Sequence, residues 1–220
     1  MQAIYVQRLR LIFRKEGAAR YISHLDLARA LERALNRANM PVTYSQGFNR
    51  RPKLAMATAL PLGYTSEYEL ADIWLNEKME PAQAQAQIMS RMAPGIDVYQ
   101  VSDVPISGPS LQALTTESTY IATPLDPIDV AELEQKIAAI LAAPTLPRVR
   151  EQKNKRKEYD LRPLILDLSV SETAVSTPTI TMRLCLEPAK TGRPDEVLLA
   201  LDLDPLAAHI HRTHIGLAQA

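Results

Sequence analysis

Three cations crowd into one ten-residue stretch, Tyr44-Ser45-Gln46-Gly47-Phe48-Asn49-Arg50-Arg51-Pro52-Lys53. The guanidinium groups of Arg50 and Arg51 can each donate two parallel hydrogen bonds to a phosphate, and Lys53 adds a point charge. Gly47 permits close approach of backbone to a ligand. Ser45, Gln46 and Asn49 contribute hydroxyl and amide groups, and Tyr44 and Phe48 offer rings on which bases can stack. That combination suits a polyanion carrying exposed bases. A polar turn between apolar segments also serves as a plain connection.

A second set of cations precedes it. Leu27, Leu31 and Leu35 recur every four residues, the spacing of one helix face. Arg29, Arg33 and Arg37 recur two positions on, about 200° round the helix, so they lie opposite the leucines. Ser23 is a good N-cap, and Asp26, three residues later, answers it while placing negative charge in the first turn. Asn39 and Pro41 end the helix. Arg20 and Tyr21 sit just before it. His24, in its first turn, is the candidate acid–base group: the helix dipole disfavours imidazolium there, and a neutral imidazole can accept a proton. With Tyr21, Arg51 or Lys53 nearby it could run metal-independent RNA cleavage. A first-turn histidine also serves as a capping or packing residue.

These groups need elements to hold them. Tyr5 to Lys15 alternates, with Tyr5, Leu9, Leu11 and Phe13 on one side and Arg8, Arg10 and Arg14 on the other, which predicts a half-buried strand with a basic outer face. Leu54 to Leu60 reads as a buried strand, Glu67 to Leu75 as another, Pro81 to Met92 as a helix and Ile96 to Val101 as a strand. The order strand, helix, strand, strand, helix, strand is the split βαβ arrangement of a ferredoxin-like unit. After the Val104 to Ser110 break the pattern repeats. A strand runs from Thr115 to Thr123, a helix capped by Asp126 from Ile128 to Ala142, and a hairpin spans Leu164 to Val170 and Thr179 to Leu186. A helix opens at Pro194, and a strand closes near His209 to Leu217. The chain therefore reads as α+β with two tandem ferredoxin-like units. The N-terminal unit, 1–104, carries the basic signature. The C-terminal unit, 111–220, carries a basic loop or hairpin end at 148–162 with Lys153, Lys155, Arg156 and Lys157, a candidate clamp around a nucleic acid.

Net charge is zero over 220 residues, yet it is segregated. Residues 1–53 hold eleven Lys/Arg against three Asp/Glu, and 148–162 hold seven against three, whereas 54–147 hold three against twelve. A neutral protein with one polyanion-facing surface shows such a distribution. The lone Cys185 excludes an internal disulfide and any multi-cysteine zinc or iron–sulfur site. His209, His211 and His214 form H-x-H-x-x-H, but no Cys or clustered carboxylate completes a metal site. No apolar run reaches the length of a membrane span, and no phosphate-binding glycine motif or paired-Cys motif is present, so neither a membrane role nor a small-molecule cofactor is expected. The expected compartment is the cytoplasm.

The runs RYISHLDLARALERA and YSQGFNRRPKLAMATALPLGYTSEYELADIWL resemble the N-terminal signature of a family of uncharacterised proteins associated with radical SAM enzymes. Its members occur alone or fused behind a radical SAM protein, often near genes for ribonuclease E/G. The resemblance is strong from Leu9 to Leu75; beyond it, KEYDLRPLILDLSV and the RTHIGL segment are compatible. The family usually continues Gly-Phe-Asn with Pro, where this chain has Arg50. The resemblance carries no activity with it; it implies a cytosolic, RNA-related context and a radical SAM or ribonuclease partner. The reading is an RNA-binding accessory module that positions structured RNA, tRNA or rRNA, with no cofactor of its own. The alternatives are an RNA-acting enzyme using His24 and a protein-docking subunit of a radical SAM enzyme that makes no RNA contact.

Overall fold

The computed structural model describes residues 5–46, 48–152, 155–173 and 176–218. Contacts divide the chain into two compact units, Met1–Thr115 with Ala218–Ala220, and Thr116–Leu217.

In the N-terminal unit the first strand, β1 (Gln7–Lys15), leads through a 3-10 turn at Gly17–Tyr21 into α1 (His24–Arg37). There follow β2 (Leu54–Met56), β3 (Thr65–Leu75), α2 (Pro81–Met89), β4 (Ile96–Val104) and the single-turn helix α3 (Leu111–Leu114). β1 lies between β3 and β4 and is antiparallel to both, and β2 pairs with the other edge of β3, also antiparallel. The order β4-β1-β3-β2 is that of a ferredoxin-like unit. One core holds Leu9, Leu11 and Phe13 of β1, Leu27, Leu31 and Leu35 of α1, Ile73 and Leu75 of β3, and Ile88 of α2. Each such leucine removed from water contributes about 1.5–3 kcal/mol, so three turns of α1 are fixed chiefly by this stripe.

Local chemistry sets the ends of α1. Ser23 Oγ accepts from the Asp26 N–H at 3.1 Å and donates to Asp26 Oδ2 at 2.7 Å, closing a capping box with aspartate in the glutamate position. At the other end Asn39 takes φ 50°, a left-handed conformation that asparagine tolerates, and Pro41 follows. The α2 side chain of Gln87 donates to the Ala38 carbonyl at 2.6 Å, satisfying a group the helix leaves open.

The C-terminal unit repeats the scheme. After β5 (Thr115–Pro124) and α4 (Val130–Ala142) comes a two-stranded hairpin, β6 (Pro147–Gln152) and β7 (Lys155–Asp160). β8 (Ile165–Thr173), β9 (Ser176–Glu187), the two-residue β10 (Lys190–Thr191), α5 (Pro194–Ala200) and β11 (Ala208–Leu217) complete it. β9 pairs antiparallel with both β5 and β8, and β11 lies on the free side of β5, giving β11-β5-β9-β8. This is the same order as in the N-terminal unit. Leu133, Ile137 and Ile140 of α4 and Val197 and Leu198 of α5 are buried.

The α+β class and the ferredoxin-like strand orders therefore match the pattern read from the sequence. Several bounds differ: β3 starts at Thr65 rather than Glu67, the hairpin strands are longer than Leu164–Val170 and Thr179–Leu186, and four differences have a local cause. The expected Leu54–Leu60 strand stops at Met56, the last residue in register with β3; Ala57 adds one bond, its N–H to the Leu70 carbonyl at 3.0 Å, and Leu60 is buried beyond it. α2 stops at Met89 rather than Met92, where the Ser90 hydroxyl bonds back to the Gln87 carbonyl at 2.7 Å. α4 starts at Val130, capped by Asp129, not Asp126: the Asp129 carboxylate accepts from the Glu132 N–H at 3.1 Å, the bond that fixes the first turn. β4 extends to Val104 because β1 pairs with it as far as Arg8.

The two cation-rich segments occupy equivalent places. Tyr44 to Lys53 lies in the connection between the first helix and second strand of the N-terminal unit, residues 38–53. The β6–β7 hairpin lies in the same connection of the C-terminal unit, residues 143–164.

Candidate nucleic-acid interface

The Tyr44–Lys53 segment is a narrow loop standing on paired backbone. Tyr44 and Pro52 form an antiparallel bridge. Above it the Ser45 N–H donates to the Arg51 carbonyl at 2.8 Å, and the Arg51 N–H donates to Ser45 Oγ at 3.1 Å. Below it Lys53 N–H reaches the Thr43 carbonyl at 2.6 Å. Gln46, Phe48, Asn49, Arg50 and Arg51 are exposed, and Phe48 is as open to solvent as a free side chain. Gly47 lies outside the described residues.

The loop is fastened to α1. Tyr44 Oη donates to Asn36 Oδ1 at 2.6 Å. Asn36 stands one residue before Arg37 and three after Arg33, on the exposed side of the helix. The bond therefore connects the loop to the part of α1 that carries these two arginines. Asn36 escaped sequence reasoning because a lone asparagine between arginines carries no periodic signal; only its partner in the loop marks it.

The other cations are engaged to different degrees. Arg29 pairs with Asp26 at 3.1 Å, an exposed i,i+3 contact. That contact and, above all, the Ser23 hydroxyl hold the Asp26 carboxyl below its ordinary value. Arg37 Nη2 donates to the Arg91 carbonyl at 2.7 Å. The Arg20 guanidinium stacks on the Tyr21 ring at 4.6 Å and bonds its hydroxyl. Lys53 Nζ sits 3.9 Å from the centre of the Tyr5 ring and 4.6 Å from that of Trp74, so two aromatic faces hold its charge. Among the described residues, no carboxylate pairs with Arg33, Arg50 or Arg51. His24 is the first residue of α1 and is half-buried.

The basic outer face expected on β1 is not a free surface. Arg8 and Arg10 converge on Asp72 of β3, which is wholly buried, through contacts of 2.5, 3.0, 2.8 and 3.1 Å. Arg8 is buried too, and its guanidinium lies 5.1 Å from the centre of the Trp74 ring. Alternation placed these arginines together correctly, but the space they face is filled by a carboxylate 64 residues from Arg8 and 62 from Arg10. Of the three, only Arg14 is exposed; it stacks on Tyr99 at 4.8 Å and pairs with Asp97 at 3.7 Å.

In the C-terminal unit the β6–β7 register sets Arg150 opposite Lys157 and Glu151 opposite Arg156. Arg156 is exposed, and Arg148 approaches Glu196 at 3.7 Å. Lys153, and the side chains of Lys155 and Lys157, lie outside the described residues. In β11, His209 and His214 are exposed and His211 is half-buried.

Fold and surface define a tandem ferredoxin-like α+β protein whose N-terminal unit presents a cation-bearing loop braced on an arginine-bearing helix. The chain belongs to the family described as "Uncharacterized protein conserved in bacteria (DUF2344)", whose model matches residues 8–194. No curated protein matches its sequence. Among solved structures it is similar to a chain in the crystal structure of a Cbf5-Nop10-Gar1 complex, at 10% identity and a TM-score of 0.48. That match covers 94% of this chain and 48% of the other, so the chain spans about half the length of its structural neighbour. Among the described residues, no helix is long and apolar enough to cross a membrane.

Proposed function

We propose that the loop Tyr44–Lys53 and the adjoining face of α1 bind structured RNA, tRNA or rRNA, and position it for a radical SAM or RNA-processing partner. The observation that carries the reading is Phe48, fully exposed at the end of a loop that also exposes Arg50 and Arg51 and is hydrogen-bonded to the arginine face of α1. A bare aromatic side chain in water has no folding role to explain it. Beside guanidinium groups it suits a base that stacks while its phosphates are neutralised. Arg33, Arg50 and Arg51 are the phosphate contacts. Arg20, Arg29, Arg37 and Lys53 have partners within the protein and serve chiefly to add field.

RNA crosslinked to the tagged protein in its own cells would be sequenced beside an Arg50→Ala/Arg51→Ala variant. The expected result is a discrete RNA site lost in the variant. Equal recovery from both proteins overturns the reading. In vitro, binding must also fall steeply between about 50 and 200 mM salt, because neutralised phosphates release counterions.

A second reading, a protein-docking subunit, is favoured by Tyr21, Leu25 and Leu62, large apolar side chains that are each more than half exposed. Gly63 N–H bonds the Arg20 carbonyl at 2.8 Å, which brings Leu62 to the start of α1. Under that reading Leu25→Glu abolishes partner capture and leaves RNA binding intact. Loss of RNA binding in the same variant would return the weight to the first.

A further inference from the structure

The C-terminal unit holds a cavity of about 740 Å3 between β7, the end of β9 and β10. This lies within the ~300–1,000 Å3 span of small-molecule sites. Its apolar wall includes Leu164 and the exposed Leu166, and Tyr159 supplies an aromatic ring. Glu187 and Lys190 face each other across the β9–β10 turn, carboxylate to ammonium 4.0 Å apart, and both line the cavity. The other carboxylate in the wall, Asp160, is already committed: its Oδ1 accepts from the Leu146 and Arg162 N–H groups at 2.7 and 3.0 Å.

The turn that holds the pair is strained. Pro188 and Ala189 are its two central residues, and Ala189 takes φ 66°, where glycine is the usual occupant. A side chain in that region costs on the order of 1 kcal/mol, and such strain tends to collect at ligand sites. Here it sets one acceptor beside one donor at the edge of a mostly apolar cavity.

From these groups we infer that the cavity binds a single unstacked guanine. A ligand fitting them has a flat body for Tyr159 and the leucines. Along one edge it has two N–H donors for the Glu187 carboxylate, next to an acceptor for Lys190. Guanine carries the 2-amino group, N1–H and O6 in that order along its Watson–Crick edge, the edge by which extruded bases are read. Adenine and cytosine each offer only one donor group on that edge, and hypoxanthine lacks the 2-amino group. The inference stands on the C-terminal unit alone and does not depend on the loop at Phe48.

The full-length protein would be titrated with GMP, IMP, AMP and CMP by isothermal titration calorimetry, with Leu164 and Leu166 methyl shifts locating the site. GMP is expected to bind roughly 10- to 100-fold more tightly than IMP, the effect of losing one hydrogen bond to a charged acceptor. Glu187→Gln, at a half-exposed side chain, removes that preference, and Lys190→Ala weakens GMP further. Equal affinity for the four nucleotides, a guanine preference that survives Glu187→Gln, or no saturation with GMP at about 10 mM each overturns the inference. Arg50→Ala/Arg51→Ala must leave GMP binding unchanged, so failure of the RNA-face reading and failure of this one are told apart.

Discussion

Replacing Asp72 by asparagine keeps the shape of the side chain and removes its charge. In the native protein that carboxylate accepts from Arg8 Nε and Nη2 and from Arg10 Nε and Nη2. The substitution leaves two guanidinium groups facing a neutral amide. Arg8 has little recourse: its side chain is 5% exposed, and what remains are longer contacts of 3.3–3.4 Å to the Pro105 and Pro109 carbonyls and the Trp74 ring. Arg10, at 15% exposure, can turn partly to water. Breaking a buried pair costs about 3–5 kcal/mol. The relief available to Arg10 puts Asp72→Asn near ~3 kcal/mol, a large part of the ~5–15 kcal/mol by which domains are stable. With a urea slope of ~1–3 kcal/mol per molar, the midpoint falls by ~1–3 M. Trp74, the sole tryptophan, touches this cluster and reports unfolding of the N-terminal unit by fluorescence. A midpoint shift below ~0.3 M would show that Asp72 is solvated and refute the account of β1. Replacing the trio together, Arg8→Met/Arg10→Met/Asp72→Leu, should recover most of the loss, because apolar substitutes remove the desolvation cost along with the pairing.

Phe48→Ala should weaken RNA binding by ~1–3 kcal/mol in a filter or anisotropy assay with the melting temperature unchanged, since the ring contributes nothing to the core. Ser23→Ala removes the hydroxyl that most lowers the Asp26 carboxyl, whose pKa should rise toward 3.8 in a carbon-detected NMR titration. A depressed folded-state value stabilises above the unfolded value and is lost as pH falls through the folded one, so the variant should differ from the parent in the pH dependence of stability only below about pH 4. Gly95→Ala should destabilise the N-terminal unit by ~1–3 kcal/mol in urea: its Cβ would stand 2.6 Å from the Glu16 carbonyl, and the site has φ 82°. Burial raises the Cys185 thiol above its usual range, so alkylation at pH 7.5 should be slow in the native protein and fast in urea.

What could be read in the sequence was local. The cap, leucine stripe and terminating Asn39 of α1 act within a few residues of one another, and each stood in the chain as it stands in the fold. Strand order followed because the alternation of helices and strands admits few topologies. The misreadings share a cause. Arg8 and Arg10 looked solvent-facing because period two tells sides apart without telling what fills them, and Asp72 arrives from a distant strand. The aromatic neighbours of Lys53, Tyr5 and Trp74, were likewise out of sight, because they come from two other places in the chain. The cavity in the C-terminal unit gathers its wall from β7, β8, β9, β10 and the turn before β8, none of which carries a motif.

The equivalent placement of the two cation-rich segments has an evolutionary corollary. In each unit the link from first helix to second strand is the span on which sheet order makes the least demand, because the second strand is an outer one reached only through the third. A duplicated half-gene could therefore gain, lose or lengthen that span in one copy without disturbing the scaffold. In this chain one unit carries a ten-residue loop at that place and the other a two-stranded arm. Descendants of such an event would differ in what they grip long before they differ in how they fold. Transplanting the arm into the loop's position is accordingly the exchange this architecture should tolerate best.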